Sequence, residues 1–184
     1  MSQCNAIKPN KIRGFTLIEL LVVMSIMSIL LAIALPSFQD TIESSVTNSQ
    51  IKLLLTTLNL ARSEAIKRGT NVAICAIDDN SNDDCDAGEW SDGWIVFVDA
   101  NGDADGDAGS IDAGDIIIRV FDSLGSNSTL TFTVDLFEYD SMGFSATGGT
   151  QEFELIPSSG NTDNARCIVI SLSGRGRRVE GVCP

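Results

Sequence analysis

The chain has 184 residues, 43% of them hydrophobic and 20% charged, which bounds it to one globular domain with room for an accessory segment. Acidic residues outnumber basic ones 25 to 12, giving a formal charge of −13. A nucleic-acid-binding surface over the whole molecule is thereby excluded, and any anion site must be a local patch. There is no histidine, which removes the commonest general base and the commonest metal ligand.

Residues 1–14 hold Lys8, Lys11 and Arg13 and no acid, and residues 15–35 form an apolar run of 21 with one charge, Glu19. As a helix that run would be about 31 Å long, enough to span a bilayer. The basic leader before it predicts a cytoplasmic N-terminus and a chain that continues outside. An ordinary secretory signal is the plain alternative, but its apolar core is shorter and its cleavage site follows that core. Here the processing point, Gly14-Phe15, precedes the run. An ionised Glu19 inside the run costs roughly 2.5 kcal/mol or more, so it needs a partner. The nearest is the α-amino group of Phe15, on this chain or a neighbour, once the leader is gone.

Pro36 removes one helical hydrogen bond and predicts a kink or local melting. Beyond it, apolar residues recur at helical spacing from Ile42 to Ile66, and Gly69 can end the helix. The expectation is one bent helix over 15–68. From Thr70 the pattern changes to short β-prone runs at 71–77, 93–98, 115–121, 129–134, 151–156 and 167–172, separated by Gly, Asn, Asp and Ser. Short turns between sequential strands predict antiparallel pairing, hence an α+β fold: one long N-terminal helix packed on an antiparallel β-sheet domain over 69–184.

Cys4 lies in the leader; Cys75, Cys85, Cys167 and Cys183 remain, an even number suited to an oxidising compartment. Of three connectivities, Cys75–Cys85 with Cys167–Cys183 is favoured. The first closes the loop after a strand, and the second fixes the C-terminal segment with a loop-closure contribution of about 3 kcal/mol. A zinc site lacks both a C-x-x-C pair and histidine. In the acidic stretch, Asn101, Asp103, Asp105, Asp107 and Asp112 resemble the spacing of a calcium loop. The first ligand is Asn, the last is the shorter Asp, and a strand precedes instead of a helix. A solvated loop is the favoured reading, with weak calcium binding as the sharper one; no other cofactor is expected. No catalytic constellation is present, so the chain is not expected to be an enzyme.

The tail, "SGRGRRVEGVCP", concentrates Arg175, Arg177 and Arg178 in four residues of an acidic protein. If Cys167 faces Cys183 across an antiparallel pair, the hairpin centres on Arg175, with strands at 168–172 and 179–182. Gly174 and Gly176 suit a tight turn and leave the backbone open to a phosphate. Lys67, Arg68 and Arg166 would extend the patch if the fold brought them near. The residues alone favour a solvated turn or arginines paired with local carboxylates.

"RGFTLIELLVVMSIMSILLAIALPSF" resembles the class III signal of type IV pilins and type II secretion pseudopilins, matching at Gly14, Phe15, Glu19 and Pro36. "LNLARSEAIKRGTNVAIC", "WSDGWIVFVDANGD" and "SGRGRR" are similar to the GspH/FimT group, of the FimT/FimU type. The resemblance implies a type IV pilin-like fold and cleavage after Gly14 by a prepilin peptidase, with methylation of Phe15. It also implies that Glu19 meets a neighbouring pilin's N-terminus during assembly. The chain is then expected in the inner membrane, its C-terminal domain periplasmic, before it joins a pilus at the cell surface. Loss of the leader would take the net charge to −16. Members implicated in natural transformation carry a C-terminal Gly-Arg-x-Arg motif linked to DNA binding, similar to Gly174-Arg175-Gly176-Arg177, with Arg178 adding a charge. The expectation is a minor pilin making weak, non-specific contacts to the DNA backbone. The alternatives are a FimU-like minor pilin that primes or caps the pilus without DNA, or a GspH-like pseudopilin of type II secretion.

Overall fold

The computed structural model describes residues 14–78, 81–86, 90–100, 111, 114–125, 127–132 and 134–184. The leader up to Arg13 and the acidic-loop residues Asn101, Asp103, Asp105, Asp107 and Asp112 lie outside the described residues. The chain divides into two compact units, one up to Gln39 and one from Asp40 to Pro184. A single helix, α1 (Leu17–Arg68), contributes to both.

In the first unit α1 starts on an N-cap threonine, Thr16. The Glu19 amide donates to Thr16 Oγ1 (3.3 Å), and Glu19 stands in the first turn, where the helix dipole favours a negative charge. Beyond it the helix is apolar on every side: Leu17, Leu21, Met24, Ile29 and Ile33 are all more than half exposed. A helix of that kind is built for an apolar surround. It is long and apolar enough to cross a membrane, with a mean hydropathy of 2.7 in its most apolar window and none of that window buried in protein. The Ser25 and Ser28 hydroxyls donate to the carbonyls of Leu21 and Ser25 (2.8 Å each), so neither needs water. The backbone stays helical through Pro36, so no local melting occurs there.

In the second unit α1 buries Ile51, Leu54, Leu58, Ala61 and Ala65, a stripe at alternating spacings of three and four. Gly69 ends the helix at φ 67°, its amide bonded to the Ala65 carbonyl (2.9 Å). Among the described residues nine strands follow: β1 (Asn71–Asp78), β2 (Ser81–Asp86), β3 (Gly93–Asp99), β4 (Ile116–Asp122), β5 (Thr129–Phe132), β6 (Leu136–Tyr139), β7 (Gln151–Ile156), β8 (Arg166–Ile170) and β9 (Gly176–Glu180). They form two antiparallel sheets instead of one. The first has the order β2-β1-β3-β4, with β6 also on β1, and the second has the order β5-β7-β8-β9.

The helix stripe shares one core with both sheets: Val72, Ile74, Trp94, Val96 and Phe137 from the first, Leu130, Phe153, Leu155, Ile168 and Ile170 from the second. A smaller cluster of Ala73, Cys75, Ile77, Ile95 and Phe97 covers the other face of the first sheet. That double coverage explains why β3 is buried at every position and reads as an unbroken apolar run. The Cys75–Cys85 disulfide (Cα–Cα 5.5 Å) ties β2 to β1.

Candidate nucleic-acid interface at the C-terminal hairpin

β8 and β9 pair in the register Ile170↔Gly176, Val169↔Arg177, Ile168↔Arg178 and Cys167↔Val179. The Ser171 amide donates to the Arg175 carbonyl (3.2 Å), and the Gly174 amide donates to the Ser171 carbonyl (2.8 Å). The connection is therefore the three residues Leu172–Ser173–Gly174, closed by Gly174 in the left-handed region at φ 73°. Ser173 is the centre of the hairpin; the expectation of Arg175 at the apex is corrected. It assumed that the two cysteines face one another, whereas Val179 lies opposite Cys167. Cys183 sits past a second turn at Gly181 (φ 84°) and bonds Cys167 from there, with a Cα–Cα distance of 5.2 Å. Its amide is held by Glu154 Oε1 at 2.9 Å. The midpoint of the disulfide is thus not the midpoint of the turn.

Strand alternation divides the arginines between two faces. Arg178 shares the face of its partner Ile168, toward α1, and its Nη1 donates to Asn48 Oδ1 (3.4 Å). There it edges a polar groove of ≈ 650 Å³ with Ser44, Asn48, Lys52 and Glu180. Arg177 shares the opposite face with Val169 and, one strand further, Glu152. Arg175 stands between two glycines that face the interior. A Cβ on Gly174 would run into the Gly143 carbonyl, and one on Gly176 would lie 3.1 Å from Leu55 Cδ1. All three arginines are exposed, and among the described residues none is ion-paired.

The other cations do not extend this set. Lys67 and Arg68 both hold Glu64, at 3.2 and 2.7 Å, and their hydrogen bonds, Arg68's foremost, keep the Glu64 carboxyl below its ordinary range. Arg166 is buried and spent on structure, donating to Asn48 Oδ1, Ser44 Oγ and the carbonyls of Asp163 and Ala165. A residue that sequence reasoning missed is Arg62 of α1, whose Nη2 donates to the Ser173 carbonyl at 2.8 Å and fixes the turn. The two lie 111 positions apart, and no local pattern links them. In the first unit, Phe15 and Glu19 line one shallow surface with Leu20, Val23, Met24 and Met27.

A long N-terminal helix, apolar at its start and packed further on against antiparallel sheets, defines the type IV pilin-like α+β fold. Crystal structures of the type IV minor pilin FimU from Pseudomonas aeruginosa (strain PAO1), in two space groups, share this fold. They are 22% and 23% identical, cover 75% and 72% of this chain and 88% and 91% of FimU, and give TM-scores of 0.53 and 0.52. The family described as Type II transport protein GspH matches residues 50–174, and the prokaryotic N-terminal methylation motif matches residues 9–35. The chain belongs to the GspH family and is a minor pilin or pseudopilin of the GspH/FimT type. Prepilin peptidase-dependent protein D of Escherichia coli (strain K12) is 33% identical over 79 residues, 43% of this chain; the chain spans about half that relative's length, 47%. The family match ends at Gly174, so the three arginines lie just beyond it.

Proposed function

We propose that this chain is a minor pilin of the type IV pilus whose C-terminal hairpin holds the phosphate backbone of extracellular DNA, without base specificity, during natural transformation. The observation that carries this reading is the exposure of Arg175, Arg177 and Arg178 without an ion pair among the described residues, in a protein with more than twice as many acids as bases. Arginines near so many carboxylates would be expected to find one; here strand register and two inward-facing glycines turn Arg175 and Arg177 away from α1, and Arg178 meets the amide of Asn48 instead of an acid. Guanidinium groups offer paired donors to phosphate oxygens, and the Debye length of about 8 Å at physiological salt shields a hairpin's edge from the acidic remainder.

In this reading prepilin peptidase cuts after Gly14 and methylates Phe15. Glu19 meets the N-terminus of a neighbouring pilin, and α1 holds the chain in the inner membrane with the β domain outside until assembly. No catalytic step is assigned to it. The test is a mobility shift with the processed full-length chain in detergent. Wild type is expected to retard DNA, and the Arg175→Ala/Arg177→Ala/Arg178→Ala variant is expected not to. Equal retardation by both, or none by wild type, overturns the reading. The family description favours a second reading, a minor pseudopilin of type II secretion. In that case, deletion of the gene blocks protein secretion and leaves transformation unchanged.

A further inference from the structure

Four apolar side chains stand exposed beside the arginine turn: Ile66 (53%), Met142 (69%), Phe144 (47%) and Leu172 (59%). They come from three separate segments, which the fold ties together through the backbone. The Ser145 amide donates to the Leu172 carbonyl (3.1 Å), Gly174 packs on the Gly143 carbonyl, and Gly143 packs on the Ile66 side chain. The loop that presents Met142 and Phe144 is preorganised. Both of their amides donate to Asp140 Oδ1 (2.9 Å each), and the Asp140 amide donates to the Phe144 carbonyl (3.0 Å). The one carboxylate of that loop is thereby turned onto its own backbone. Arg175 follows Gly174 directly, so an exposed cation with no ion pair among the described residues lies one position along the chain from the Gly174–Gly143 contact.

The geometry points to a base-stacking shelf: Phe144, flanked by Met142 and Leu172, receives unpaired nucleobases while Arg175 holds the adjoining phosphate. The ligand class is single-stranded DNA or a frayed duplex end. An exposed ring on the loop that packs against Gly174, with a guanidinium one residue further that has no ion pair among the described residues, matches a polymer that alternates apolar planes with anions, and stacking needs no base identity. A protein partner covering the same patch would have to leave Arg175 unpaired or bring an acid to it. This inference rests on the phosphate reading of the arginines and adds a preference for unpaired strands.

The test measures fluorescence anisotropy with the processed full-length chain in detergent. Its probes are oligodeoxythymidine, an abasic deoxyribose-phosphate chain of the same length, and a duplex. Wild type is expected to bind oligodeoxythymidine at least about fivefold more tightly than the abasic chain. Phe144→Ala is expected to abolish that difference, Phe144→Trp to keep it, and Leu172→Ala to reduce it. Equal, arginine-dependent affinity for the first two probes overturns the shelf and leaves the phosphate contact standing. No binding of any probe by wild type overturns both. If Phe144→Ala leaves every affinity unchanged and instead disperses an oligomer of the chain, the patch is a contact between copies and the shelf is overturned.

Discussion

A methyl group on Gly174 would collide with the carbonyl oxygen of Gly143 and lie 2.9 Å from Tyr139 Cε1, on a backbone at φ 73° that side chains avoid. Gly174→Ala is therefore expected to lower stability by roughly 1–3 kcal/mol, read from chemical denaturation. Arg175→Ala, at an exposed position, should stay within about 0.5 kcal/mol of wild type. The glycines of the Gly-Arg-Gly-Arg segment thus answer to packing and its arginines to solvent. Tyr139 gives a second handle. Burial pushes its phenol above the ordinary range, only partly offset by the charge of Arg62. A raised acid holds its proton in the folded state after the unfolded chain has lost its own. The contribution of Tyr139 to stability should therefore be constant below about pH 10 and be lost as the pH rises further, and Tyr139→Phe should blunt that alkaline fall in denaturant midpoints.

α1 and β3 share a buried polar contact, Trp94 Nε1 donating to Thr57 Oγ1 at 3.2 Å. Thr57→Val keeps the shape and removes the acceptor, stranding the indole N–H. The expected loss is about 1–3 kcal/mol, visible as a lower melting temperature with unchanged far-ultraviolet dichroism. Elements whose pattern repeats were legible in advance: α1 by its apolar spacing, β7 at 151–156 by strict alternation, β3 by its unbroken apolar run. β2 was not, because "SNDDCD" reads as a loop; it becomes a strand by pairing with β1 and bonding Cys85 to Cys75. β6, four residues long, is too short to show a period. Two sheets replaced one because α1 offers a single stripe that both can cover, a fact of packing and not of local sequence. At the candidate site the composition of the hairpin was legible. Its register was not, since Cys183 lies beyond the strand it was assumed to end.

At the scale of the whole molecule the question is how a chain of charge −13 could retain a polyanion. If Arg175, Arg177 and Arg178 each hold one phosphate as proposed, few counterions are released, and the logarithm of affinity should fall with the logarithm of salt concentration with a slope of roughly −2.7. Each single arginine-to-alanine change should reduce that slope by about 0.9 and weaken all sequences alike. A measured slope much steeper than −2.7 would place further cations in the interface; Lys67, Arg68 and Arg166 are already engaged elsewhere.

The Cys167–Cys183 bond encloses the turn and the three arginines that follow it in a covalent ring. Mechanically, the hairpin is a closed eyelet and not a free tab. A pull applied at the arginines would run down both arms to one crosslink, and from there into β8, which is laced to β7 on one side and β9 on the other. The terminal strand cannot be peeled away alone, so the load is borne in the interior of the sheet.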